Sequence, residues 1–270
     1  MTLIHIDDGH RFQFDSDDMS FPVYKDGEGP AVLVLHELPG MTRACIELAN
    51  RIMREGFTVY LPLLFGDPYD DNDITGFTHI SAMCVRHEME CFATDKTSRL
   101  SSWLRALCVR MNAECPGKGV GAIGMCLTGG IVLSVMIESS VLVPVLSQPA
   151  MPFHEIPLPR GPSQDERKAG LGIAPEDLAV VQERAQTSPI LGYRFTTDTI
   201  CPKERFATLR RTFGGNFKGT EIPTGPGNPG NIKDKSHSVL TVAFVDEPDH
   251  PTRIAFDEIL ERFNARLRLD

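Results

Sequence analysis

Apolar positions change their rhythm along this chain, and the change predicts its architecture. Near the start they alternate with polar ones. Ile4-His5-Ile6 and Phe12-Gln13-Phe14 predict the two strands of a hairpin turning near Asp8-Gly9, and Pro22-Val23-Tyr24 predicts one more strand. From Ala31 the strands become continuous apolar runs, as expected where a sheet is covered on both faces. Such runs lie at residues 31–35, 57–61, 119–123 and 141–146, and further strands are predicted at 190–195 and 217–222.

Between these runs the apolar positions recur at helical spacing. Helices are predicted over residues 44–54, 86–94, 100–111, 130–136, 176–186, 203–213 and 253–267, with Gly56 ending the first. Strands alternating with helices, and no composition shift that would mark a linker, predict one α/β domain over 1–270. It would be a doubly wound, mostly parallel sheet with helices on both faces. The hairpin region would cover 1–25. Residues 151–188 read as an excursion over the top of the sheet, and 223–230 as a Gly/Pro/Asn-rich loop.

The 270 residues carry a net charge of −9 and a hydrophobic fraction of 41%, and no apolar run is as long as a membrane span. The charge disfavours nucleic acid or an anionic membrane as partner. Residues 1–20 lack the basic start, apolar core and cleavage site of an export signal. Seven cysteines, an odd number without a C-x-x-C pair, fit a reducing cytoplasm and no metal knuckle.

Gly124-Met125-Cys126-Leu127-Thr128-Gly129 stands between the run 119–123 and the helix predicted from Gly130. A strand turning sharply into a helix with a nucleophile at the apex is a nucleophile elbow, and small residues must flank the strained turn. The following helix directs its N-terminal amides at the apex, here a thiol expected at an exposed turn. Taken alone, Cys126 reads equally well as a buried structural cysteine.

In such sheets ligands sit at the carboxyl ends of strands. Asp198 follows the strand at 190–195, and His237 follows the last strand and its loop. On their own, Asp198 could cap the helix after Pro202 and His237 could be a surface residue. Together with Cys126 they supply a thiolate to attack a carbonyl, an imidazole to move the proton and a carboxylate to hold the imidazole's tautomer. Asp234 is the alternative acid. His36-Glu37-Leu38-Pro39-Gly40 ends the first apolar run. A zincin motif would need histidine at position 40, so that reading fails. The loop instead suits an oxyanion-hole amide, Leu38 N–H, paired with Leu127 N–H behind the nucleophile.

With these residues in place, the chain resembles the dienelactone hydrolase family over roughly residues 28–265. The family has a G-x-C-x-G-G elbow, a glutamate just after the first core strand, an acid at a later strand end and a histidine in a G-H or S-H loop. Here these are Gly124-Met125-Cys126-Leu127, Glu37, Asp198 with Cys201-Pro202 behind it, and Ser236-His237-Ser238. The resemblance implies hydrolysis of a small-molecule ester or lactone through a thioacyl-enzyme, with no metal or organic cofactor and with Glu37 as partner of the resting thiol. Oligomeric state is left open between monomer and small homo-oligomer.

The chain departs from the family in two ways. Thr128 takes a position usually held by glycine, with Gly129-Gly130 displaced behind it, and the loops bordering the pocket are long. The family holds a substrate carboxylate with arginines. Arg86 is the candidate for that task, against the plainer reading of a solvated helix residue. Attack of the same thiolate on a thioester or phosphotriester, and a redox or non-catalytic thiol, are the competing functions.

Overall fold

The computed structural model describes residues 10–71, 98–154 and 162–269. Eight strands form one sheet in the order β1-β2-β4-β3-β5-β6-β7-β8. The strands are β1 Arg11–Ser16, β2 Met19–Asp26, β3 Ala31–Leu35, β4 Thr58–Pro62, β5 Val120–Met125, β6 Val141–Ser147, β7 Ile190–Phe195 and β8 Phe217–Ile222. β2 pairs antiparallel with β1 and β4, and every other pairing is parallel. This is the α/β-hydrolase arrangement: a mostly parallel sheet extended at one edge by an antiparallel hairpin.

The described part of the N-terminal region forms a hairpin of its own. Phe12–Phe14 pairs with Phe21–Val23 of the following strand. The turn is Asp17-Asp18, both left-handed at φ 49° and 59°. Positive φ at both central positions matches the twist of the flanking strands, and Asp tolerates it better than most residues. The expected strand at 4–6 and turn at Asp8-Gly9 lie outside the described residues.

The helices are α1 Arg43–Arg54, α2 Arg99–Glu114, α3 Ile131–Val135, α4 Gln164–Ala169, α5 Pro175–Ala185, α6 Lys203–Phe213 and α7 Pro251–Leu267. The excursion, predicted to hold one short helix, contains two, α4 and α5. None of the described helices is long and apolar enough to cross a membrane. The helix expected at 86–94 lies outside the described residues.

Alternate residues of each central strand feed two cores. Leu33 and Leu35 of β3 belong to one core with Trp103, Leu104 and Leu107 of α2, Val132 of α3 and Phe206 of α6. Val32 and Val34 face the other way, toward Leu48, Ala49 and Ile52 of α1 and Phe256, Ile259 and Phe263 of α7. The strands are apolar on both sides because both sides are covered. The carboxyl ends of β3, β5, β6 and β7 therefore open at one edge of the sheet, bordered by the connecting loops.

Candidate active site

β5 ends at Met125, and Cys126 turns the chain with φ 50° into a 3-10 turn, Cys126–Thr128, ahead of α3. A side chain on the left-handed backbone is strained, and such outliers gather at functional sites. The turn closes by near contact. A Cβ on Gly124 would stand 2.4 Å from the Thr128 carbonyl oxygen, and one on Gly129 would stand 2.7 Å from Pro149 Cα. Only hydrogen fits at either position.

Thr128, the departure from the family's glycine, is fully used. Its hydroxyl accepts the Met125 N–H at 3.0 Å. Its proton faces the carbonyl oxygens of Leu35 at 3.1 Å, His36 at 3.2 Å and Met125 at 3.0 Å. The elbow is thereby joined to the end of β3. The expected exposed thiol is corrected: Cys126 is only 6% exposed, because Leu127, Met151 and Leu171 pack into the same cluster.

His237 meets Asp198 across the sheet ends. The imidazole Nδ1 lies 2.7 Å from Asp198 Oδ2. Asp198 is buried, and its Oδ1 accepts the amides of Ile200 at 2.9 Å and Cys201 at 3.0 Å. Asp198 does not cap α6, whose N-cap is Pro202; one of its oxygens closes the turn ahead of that helix while the other faces the ring. Asp234 is exposed and is not the ring's partner.

Arg194 of β7 holds this turn from beneath. Its guanidinium donates to the carbonyls of Cys201 at 3.0 Å and Asp198 at 3.1 Å and pairs with Glu221 of β8. His237 Nε2 is buried, with the Cys126 thiol as its neighbour. Burial disfavours the imidazolium. Hydrogen bonding to Asp198 and Cys126, together with their charges, outweighs it and holds His237 well above its ordinary pKa of 6.5.

Glu37, the residue after His36 at the end of β3, is buried, and its carboxylate accepts from three side chains. Gln148 Nε2 donates to Oε2 at 3.1 Å, Ser238 Oγ to the same oxygen at 2.8 Å, and Thr241 Oγ1 to Oε1. Donor atoms of Glu37, Cys126 and His237 all lie within 4.8 Å of one another. A thiolate, an imidazole and a carboxylate are also a possible metal-ligand set. Here the carboxylate already accepts three protein donors and the ring's Nδ1 is taken by Asp198.

His36 beside it is fully buried, and burial, against a hydrogen bond to the Glu37 carbonyl, lowers its pKa to about 4. The neutral ring accepts the Leu64 N–H on Nε2 at 3.0 Å, which leaves the proton on Nδ1, 3.3 Å from the Glu37 carbonyl oxygen. The two expected oxyanion amides, Leu38 N–H and Leu127 N–H, donate to no other group among the described residues. Leu38 is half-buried beside the cluster that holds Cys126 and Leu127. Arg86 lies outside the described residues.

Sequence reasoning missed Gln148, Ser238, Thr241 and Arg194. Gln148 closing an otherwise apolar strand was the one local signal. It also missed Arg205 of α6, whose buried guanidinium donates to the carbonyls of Pro149, Pro152, Arg167 and Gly170 and so pins the start of the excursion beside the site. Burial lowers its pKa to about 10.

The sequence profile of the dienelactone hydrolase family matches residues 21–227. No curated protein matches the chain. Among solved structures, a dienelactone hydrolase-like promiscuous phosphotriesterase from metagenomic libraries is similar with TM-score 0.63 at 14% identity, over 95% of this chain and 97% of that one. A Klebsiella pneumoniae protein assigned as a dienelactone hydrolase gives 0.60 at 15%, over 94% and 97%. A cold-adapted esterase from an Arctic intertidal metagenomic library gives 0.58 at 14%, over 96% and 93%. At such identities the likeness speaks for the fold.

Proposed function

The chain belongs to the dienelactone hydrolase family, and on that premise we propose that it hydrolyses a small carboxylic ester or lactone with Cys126 as nucleophile, His237 as proton carrier and Asp198 as the imidazole's anchor. The observation that carries this reading is the line from Asp198 Oδ2 to His237 Nδ1 at 2.7 Å, with the ring's buried Nε2 left to the neighbouring thiol of an αL cysteine. An imidazole whose pKa is raised is suited to take the thiol proton and store it as imidazolium.

The thiolate sulfur attacks the ester carbonyl carbon. The carbonyl oxygen becomes an oxyanion, stabilised by the amides of Leu38 and Leu127. Collapse breaks the carbonyl carbon–alkoxide bond, and the imidazolium returns its proton to the leaving alkoxide. Water then attacks the thioester with His237 as base, releasing the acid and restoring the thiol.

Glu37 stands beside this path. Its carboxylate lies in one cluster with the Cys126 thiol and the His237 ring, as partner of the thiol in the step that forms the Cys126–His237 ion pair when substrate arrives. A panel of p-nitrophenyl esters, a lactone, a thioester and a phosphotriester, run with and without iodoacetamide, tests the reading. Cys126→Ala is expected to remain folded and lose ester hydrolysis, and Cys126→Ser to keep little of it. Wild-type turnover in the alanine variant sinks the assignment. A preference for the thioester or phosphotriester would keep the nucleophile and change the substrate class.

A further inference from the structure

Gln148 follows β6 directly and combines two unusual properties. Its backbone is left-handed at φ 32°, and its side chain is fully buried. β6 is otherwise Val-Leu-Val-Pro-Val-Leu-Ser, so packing alone would favour an apolar residue there.

The orientation of its amide is set by its neighbours. The Val239 N–H can only donate, so it meets Oε1, at 3.2 Å, and Ser147 Oγ donates to the same oxygen. Nε2 is thereby left to donate to Glu37 Oε2 at 3.1 Å. The Gln148 main-chain N–H is held by the Tyr193 carbonyl of β7 at 2.7 Å. One side chain therefore ties the end of β3 to the amide two residues past His237. Ser238 and Thr241 close the ring by donating to Glu37 from the same segment.

We propose that Gln148 is a positioning residue that couples Glu37 to His237, orienting the carboxylate with its amide nitrogen and fixing the histidine's backbone with its amide oxygen. The proposal rests on the ester-hydrolase reading for its effect on turnover. Its effect on the thiol does not require a substrate. A purely structural glutamine would affect stability alone. A coupling glutamine also alters the thiol's reactivity and the chemical step, because a loosened imidazole or a turned carboxylate acts on the transition state more than on substrate binding.

Two variants test it. Gln148→Met keeps the length and removes both hydrogen-bonding functions. Gln148→Glu keeps an acceptor for Val239 and Ser147, loses the donor to Glu37 and adds a second carboxylate. The titratable groups around the pair are His36 from the end of β3, Cys45 from α1, Cys126, and His237 with Asp198; neither substitution changes them.

Folding is checked by circular dichroism and thermal unfolding. For folded Gln148→Met, kcat is expected to fall about 10- to 100-fold while KM stays within about threefold. For Gln148→Glu, the pH profile of Cys126 alkylation by iodoacetamide, followed by mass spectrometry of the Cys126 peptide, is expected to differ from that of wild type, since a carboxyl group at 148 must share a proton with Glu37 and so changes the charge of the carboxylate that faces the thiol. The proposal is overturned if folded Gln148→Met keeps wild-type kcat, or if Gln148→Glu folds and its alkylation profile does not move. If the Cys126→Ala control retains turnover, the hydrolase reading fails, and the alkylation profile still decides for or against Gln148.

Discussion

Lowering the pH from 7.5 to 5 should weaken this fold, and His36 should carry a separable share of the loss. Its ring is fully buried with Nε2 filled by the Leu64 N–H at 3.0 Å, so a proton added there would put a donor against a donor. Burial lowers the pKa from 6.5 to about 4, with the hydrogen bond to Glu37 pulling weakly the other way. The folded pKa lies below the unfolded one, so between them the unfolded chain binds more protons. The stability is therefore fully present above pH 6.5 and is lost as the pH falls toward 4.

At about 1.4 kcal/mol per pKa unit, the loss reaches roughly 2 kcal/mol at pH 5 and about 3 kcal/mol at pH 4. Other groups titrate in the same range, so the assay compares wild type with His36→Gln, which cannot be protonated. Urea unfolding at pH 7.5, 6, 5 and 4.5 gives two curves of stability against pH. Wild type is expected to lose about 2 kcal/mol more than the variant between 7.5 and 5. Parallel curves would refute the burial argument, because they would mean that His36 accepts its proton at an ordinary pKa.

Three further outcomes are expected. His237→Ala should lower kcat by on the order of a thousandfold or more and Asp198→Asn by somewhat less, measured on the ester that wild type hydrolyses best; a silent Asp198→Asn moves the acid elsewhere. Glu37→Gln should lower turnover yet make alkylation of the free protein faster or extend it to lower pH, and identical profiles with unchanged turnover reduce Glu37 to a structural residue. Gly124→Ala should abolish soluble folded protein or lower stability by several kcal/mol, roughly 3 or more, because the new Cβ meets backbone at 2.4 Å and the Val132 side chain at 2.7 Å; a thermal midpoint within a degree of wild type would contradict it.

The central strands β3, β4, β5 and β6 were legible because they are buried on both faces, which forces continuous apolar runs. β7, α6 and β8 lie at the predicted residues, and α1, α2 and β4 within three of them. The hairpin was half legible. Alternation marked Phe12 and Phe14, but the Asp17-Asp18 turn lacks the glycine that advertises positive φ, so the pairing with Phe21–Val23 was not predicted. Cys126, Asp198 and His237 could be found because each follows a recognisable strand or a loop behind one. Gln148, Ser238 and Thr241 could not. They are 111, 201 and 204 residues from Glu37, and their shared carboxylate is a product of the fold. The exposed thiol was misjudged because its burial, too, is set by the packed fold and not by the local turn.

Two non-glycine residues with positive φ, Cys126 and Gln148, stand side by side where β5 and β6 end, one residue beyond the paired Met125 and Ser147. Each such conformation costs on the order of 1–3 kcal/mol and persists only where its surroundings over-determine it. Those surroundings are visible. The Cys126 carbonyl accepts the amides of Gly129 at 3.1 Å and Ala150 at 2.8 Å, and the Gln148 amide is held by Tyr193 at 2.7 Å. The Ala150 bond joins the two turns directly, so the strained backbone behind the thiol and that behind the Glu37 network form one unit. A fold with no use for that edge of the sheet could relax both with glycine. Retaining a thiol on one strained position and an amide on the other is the strongest internal sign that the strand ends of β5 and β6 work together as the reactive part of the molecule.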